Sequence, residues 1–170
     1  MRKFAFTIKL ITTIFTLSLL SMSSIDAQDK KEKELEVTQH VQKVLDNKDY
    51  MIHVDYMNPQ QGRSRALTSS YFVKIKNDSI FSYLPYVGRA YNVPYGGGQG
   101  LNFNASIQSY SSSKGRKNKT TITIKVKNSE DNYTYTLTVY GNGSTNIFVQ
   151  PINRQSISYR GKIDLKKEKE

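Results

Sequence analysis

The sequence predicts a mainly β protein: an antiparallel curled sheet or flattened barrel of about seven or eight strands, with one N-terminal helix packed on it. Three observations carry this reading. From Tyr50 onward, apolar and polar residues alternate in short runs. Clusters of Asn, Gly, Asp and Ser punctuate those runs at roughly the 8–12-residue spacing of hairpin-connected strands. Only 37% of the 170 residues are hydrophobic, which suits a sheet that keeps one face in water.

Residues 1–27 read as a secretory signal. Arg2, Lys3 and Lys9 form the positive start, Leu10–Leu20 the apolar stretch, and Ile25-Asp26-Ala27 the small-residue junction before Gln28. A membrane-spanning helix needs about 20 apolar residues, and this stretch is shorter and interrupted by threonines. No Cys stands at the junction, which excludes lipid attachment there. The expected localisation is therefore export, to the periplasm or beyond, without a Cys-linked lipid anchor.

Residues 28–49 hold a charged lead-in and a short amphipathic helix. From Glu34 to Leu45, Val37, Val41, Val44 and Leu45 fall on one helical stripe, and Asp46–Asp49 ends it. About three turns do not persist without a surface to pack on. His40, among polar neighbours, is expected in solvent.

Residues 50–165 form the β domain. Tyr50, Ile52, Val54 and Tyr56 share one strand face, while Met51, His53, Asp55 and Met57 share the wet one. Tyr71, Val73 and Ile75 repeat the pattern, and Asn77-Asp78 turns the chain into Ser79–Leu84. Leu101, Phe103, Ala105 and Ile107 mark the next strand. Thr120–Lys127, Tyr133–Tyr140 and Asn146–Gln150 follow across turns at Asn128–Asn132 and Gly141–Gly143. Ile157, Tyr159 and Ile163 close the set, and residues 166–170 are a charged tail.

Two segments break the rhythm. Ser111–Lys119 is a polar hairpin loop carrying Lys114, Arg116, Lys117 and Lys119. Leu84–Gly100 repeats Pro-Tyr at Pro85-Tyr86 and Pro94-Tyr95 and ends in a run of glycines.

Several stretches together resemble a secreted family of Bacteroidetes proteins, domain of unknown function 4251. They are Tyr83-Leu-Pro-Tyr-Val-Gly-Arg-Ala-Tyr91, Pro94-Tyr-Gly-Gly97, Gly100-Leu-Asn-Phe103, Asn153-Arg-Gln-Ser-Ile-Ser-Tyr-Arg-Gly161, and Gly62-Arg63 with Leu67-Thr-Ser-Ser-Tyr71. The resemblance covers residues 45–165. It implies export in a Gram-negative bacterium and assigns no catalytic residue. Many members carry a lipoprotein Cys at the cleavage site, which this chain lacks.

Composition narrows the chemistry. The absence of Cys removes disulfides, thiolate metal sites and cysteine nucleophiles. The net charge of +11 falls to +9 once residues 1–27, with three cations and one anion, are subtracted, and it resides in residues 50–165. A basic body attracts polyanions. For an exported protein these are glycans, peptides or anionic envelope components rather than nucleic acid.

No cofactor or metal motif is present. Gly96-Gly97-Gly98 and Gly100 lack the following helix and Lys-Ser/Thr of a phosphate loop, and read as permissive backbone at a tight crossing. Five Asn-x-Ser/Thr triplets occur, compositional in a chain this rich in Asn, Ser and Thr.

For nucleophilic catalysis, His53 and Asp55 lie two apart on one face and could meet, with Ser plentiful. An unrecognised hydrolase using that pair is the alternative to a non-enzymatic binding or envelope-associated module, as is a structural subunit of a surface assembly.

The strongest binding candidates are Tyr86, Arg89, Tyr91 and Tyr95, whose flat faces and hydroxyls suit sugars and peptides. Two readings stay open for them: a surface that binds, or a plug closing the sheet's open end. The plug reading expects Tyr91 to bury its ring.

Overall fold

The computed structural model describes residues 29–92 and 98–165. Residues 1–28, on which the expected signal segment falls, Tyr95 and residues 166–170 lie outside them. The chain divides into Met1–Glu36, whose described part is helical, and Val37–Glu170, which holds the β domain. Helix α1 covers residues 29–46, a turn and a half more than the apolar stripe alone marks.

Eight strands follow: β1 Asp49–Pro59, β2 Arg65–Lys76, β3 Ser79–Leu84, β4 Leu101–Lys114, β5 Lys119–Lys127, β6 Asn132–Tyr140, β7 Ser144–Pro151 and β8 Ile157–Ile163. Each pairs antiparallel with the next, and β8 pairs with β1, so the meander closes into a barrel. Closure satisfies the two outer edges that an open sheet would expose.

The alternation read from the sequence becomes an inside and an outside. Ile52, Val73, Ile75, Ile80, Leu101, Ile122, Ile124, Leu137, Ile147 and Val149 are fully buried. Each removes from water a side chain worth about 1.5–3 kcal/mol. The interior is packed with side chains, so ligand surfaces are to be sought at the barrel ends and on its wall.

Two strands change phase. In β1 the register slips between Val54 and Tyr56 against both neighbours: Asp55 is an extra residue, a bulge, against β8, while against β2 residues 67–70 lie opposite it. Met57, expected on the wet face with His53 and Asp55, is instead buried, and Tyr56 is only half-buried. A bulge inserts one residue and exchanges the faces beyond it. In β4 a slip between Ile107 and Ser109 turns Tyr110 inward, its hydroxyl 3.2 Å from that of Tyr50.

One end of the barrel is closed by α1 from Val37 on. Val41 and Leu45 are buried with the strand residues, Thr38 donates to the Gly141 carbonyl, and Thr120 donates to Gln42 Oε1. Val37, the first residue of the stripe, stays exposed, and His40 is half-buried rather than in solvent. Lys48, in left-handed conformation at φ 51°, stops the helix, its N–H donating to the Leu45 carbonyl. The turns at Asn77-Asp78, 115–118 and Gly141–Gly143 share this end. The connections 60–64, 128–131 and 152–156 share the other, with residues 85–92 and 98–100.

Two expectations follow. A Cβ at Gly161 would be driven into the His53 carbonyl oxygen and sit 3.1 Å from Val54 Cα. Gly161→Ala, at the seam between β8 and β1, should cost more than the roughly 1–3 kcal/mol of ordinary overpacking, read as a fall in Tm by thermal denaturation. An unchanged Tm would contradict the close seam.

The second concerns alkali. Burial pushes the phenols of Tyr50, Tyr135 and Tyr159 up, so above pH 10 the unfolded chain ionises them while the folded chain keeps their protons. The unfolded state then binds fewer protons, and stability present below pH 10 is lost as pH rises, by about 1.4 kcal/mol per unit for each phenol. Urea titrations at pH 9 and 11, with tyrosinate absorbance, should show stability falling and these phenols ionising only with unfolding.

Candidate functional site

Residues 84–92 and 98–100 lie at the end opposite α1, held down by tyrosine hydroxyls. Tyr159 on β8 donates to the Pro85 carbonyl at 2.7 Å. Tyr133 on β6 donates to the Gly100 carbonyl at 3.3 Å. Tyr135 donates to Ser82, whose hydroxyl donates to the Leu101 carbonyl. Among the described residues, no buried side-chain polar atom lacks a partner.

Tyr86 itself spans the gap to the β7–β8 connection. Its hydroxyl donates to the Gln155 carbonyl at 2.8 Å and lies 3.2 Å from that of Arg89. Burial pushes its phenol up, opposed by the Arg154 guanidinium, which sits 5.8 Å from the ring centroid. A short antiparallel bridge pairs Ala90 with Arg154, with Tyr91 N–H donating to Asn153 and Gln155 N–H to Arg89.

Two turn carboxylates brace this end. Glu130 pairs with the buried Arg154 guanidinium at 2.7 Å and accepts from Gln99 N–H. Asp131, also buried, accepts from the N–H groups of Asn132, Ile152 and Asn153. Gly98 lies where a Cβ would meet the Arg154 and Glu130 side chains, which is the tight crossing that glycine permits. Gly96 and Gly97 lie outside the described residues.

Beside this brace a cleft of about 380 Å³ opens. Tyr71, Tyr83 and Tyr86 supply its aromatic side; Gln99, Asn102 and Arg154 supply its polar side. Tyr71 and Tyr83 stack at 5.4 Å, and Tyr83 leans on Phe72 at 5.9 Å. Tyr83 is 42% exposed, so its ring offers an accessible face.

Of the three predicted binding residues that are described, only Tyr86 lines this cleft. Arg89 is exposed on the rim. Tyr91, expected to bury its ring, is 70% exposed. The reason is the bridge: it fixes Tyr91 by its backbone N–H and leaves the side chain in solvent. Tyr86 is half-buried with its hydroxyl tied to Gln155, Tyr91 does not bury its ring as the plug reading expects, and Tyr95 lies outside the described residues.

The residues that sequence reasoning missed are Tyr71, Tyr83, Gln99, Asn102 and Arg154. Tyr83 had a signal, an aromatic on the wet phase of β3; Arg154 had none.

His53 and Asp55, which the alternative hydrolase reading would pair, are not paired. The His53 ring lies 3.3 Å from Asp164, both partly exposed, and Asp55, displaced by its bulge, lines a separate outer groove with Tyr56 and Arg160. The guanidinium of Arg160 covers the Tyr56 ring at 4.7 Å. The cations Lys114, Arg116, Lys117 and Lys119 are all exposed. The predicted loop is shorter than expected, since β4 runs through Ser111–Ser113 to Lys114 and β5 resumes at Lys119.

Comparison with known proteins bears on family and fold. A crystallised DUF4251 family protein from Bacteroides eggerthii DSM 20697 is 14% identical, with a TM-score of 0.57 over 75% of this chain and 86% of that one. At that identity the likeness concerns the fold alone. No curated protein matches the chain. The family model described as domain of unknown function DUF4251 matches residues 31–163, nearly the whole of the described structure and the same stretches on which the resemblance rests, and the chain belongs to that family.

Proposed function

We propose that the protein is an exported, non-enzymatic binding module whose ligand is an uncharged glycan segment of the cell envelope, held in the cleft beside Tyr83. The observation that carries this is the Tyr71–Tyr83 stack lining one cleft together with amide and guanidinium groups. Aromatic faces cover the apolar C–H side of a sugar ring while fixed polar groups orient its hydroxyls. The Arg154 charge is already compensated by Glu130 at 2.7 Å, so the cleft recognises by hydrogen bonding rather than by net charge. Export is supported by the positive start, the apolar stretch and the Ala27 junction.

On an array of peptidoglycan fragments and neutral oligosaccharides, the protein should be retained, and Tyr83→Ala should lower retention at least tenfold. Since Tyr83 is partly exposed, its Tm should fall by little. Retention should be insensitive to salt between about 50 and 500 mM, because no unpaired charge is used. Tyr91→Ala should leave both Tm and retention unchanged. Undiminished retention of Tyr83→Ala, or retention that collapses with salt and with Arg89→Ala, would overturn the reading in favour of an anionic ligand on the rim. Exclusive retention on extended peptides would overturn it in favour of a peptide.

The export reading expects protein recovered from the periplasm to begin at Gln28. N-terminal sequencing checks this, and an intact Met1 chain in the membrane fraction would refute it.

A further inference from the structure

β4 outruns its neighbour. The β3–β4 ladder ends at Ser79↔Ser106, and Ile107 N–H makes a last bond to the Asp78 carbonyl at 2.8 Å. Beyond that point β4 continues to Lys114, paired with β5 from Ser109↔Lys125 to Lys114↔Thr120. On its other edge, residues 108–114 have no strand partner among the described residues.

Which backbone groups point outward follows from the hairpin. Gly115 N–H donates to the Lys119 carbonyl, and antiparallel pairing alternates hydrogen-bonded and open residues. The N–H and C=O groups of Lys114, Ser112 and Tyr110 therefore face away from β5. Edges of this kind are usually blunted by Pro, by charges along the strand or by being very short. Residues 108–114 contain no Pro and no charge before Lys114, and their serines at 109, 111, 112 and 113 leave the backbone open to approach.

The hairpin that ends this edge is basic, while Asp78 beside Ile107 and Asp46 near Tyr110 lie toward its start. No acidic residue occurs from Ser79 through Ser129. Lys114, Arg116, Lys117 and Lys119 are exposed and make no ion pair among the described residues. We propose that the free edge of β4 over residues 108–114 is a strand-addition site for an extended acidic peptide segment of a partner protein. Main-chain hydrogen bonds supply affinity, and the hairpin cations select the sign of the incoming strand. The site is at the α1 end of the barrel, away from the Tyr83 cleft and independent of it.

The test uses three fluorescent ten-residue peptides alternating Val with Glu, Lys or Ser, read by anisotropy against the intact protein, with amide NMR shifts to locate the contact. The Glu peptide should bind at least tenfold more tightly than the Lys peptide, more weakly as salt rises, and with the largest shifts at Tyr110, Ser112 and Lys114. Ser112→Pro, which removes an outward N–H and spares the β5 ladder, should lower that affinity at least tenfold with an unchanged Tm. Arg116→Glu with Lys117→Glu, at the exposed tip, should do the same without touching β4. Equal binding of all three peptides, binding of none, or wild-type affinity of both variants would overturn the proposal. So would concentration-dependent dimers abolished by Ser112→Pro, which would assign the edge to a second copy of the chain.

Discussion

Everything in this molecule depends on the seam where β8 meets β1. A meander of eight strands leaves its first and last strands unpaired unless they find each other, and here they pair from Ile52↔Ile163 to Pro59↔Ile157. The approach is close enough that Gly161 has no room for a side chain beside the His53 carbonyl. The bulge at Asp55 lies at the same place and bends β1 across the closure. A closed wall in turn sets a fixed interior volume, which the aliphatic residues of all eight strands fill.

Closure also creates two ends, and the protein treats them differently. One is sealed by apolar contact, through Val41 and Leu45 of α1. The other is sealed by polar contact, through phenol hydroxyls that reach backbone carbonyls at Pro85 and Gly100. A tyrosine suits this role because its ring packs with the core while its hydroxyl reaches the rim. The carboxylates of Glu130 and Asp131 complete the seal by accepting from Arg154 and from three backbone N–H groups. The cleft beside Tyr83 exists because this polar seal is irregular, whereas the apolar seal at α1 is continuous with the core.

The two candidate surfaces use different physics. The cleft offers rings and compensated polar groups, suited to a ligand recognised by shape. The β4 edge offers unpaired backbone beside uncompensated cations, suited to an extended chain recognised by charge. Both arise from the same staggering, since β3 covers only part of β2 and β4.

The sequence by itself determined the class of fold and the pairing of most strands. Period-two alternation is a local property: Ile122, Ile124 and Val126 must share a face whatever lies opposite. The turns at Asn77-Asp78 and Gly141–Gly143 are likewise local, set by residues that accept positive φ. What only the tertiary structure decided were the bulges, the closure and the company of the site residues. Nothing in the residues around Asp55 announces the extra residue that buries Met57, because a bulge relieves a mismatch between two strands rather than within one. Tyr91 reads like Tyr86 in sequence, each part of a Pro- and Gly-rich aromatic run, yet one hydroxyl finds the Gln155 carbonyl and the other ring is left in solvent. That difference comes from the bridge between Ala90 and Arg154, residues 64 positions apart, a long-range pairing that no local pattern encodes.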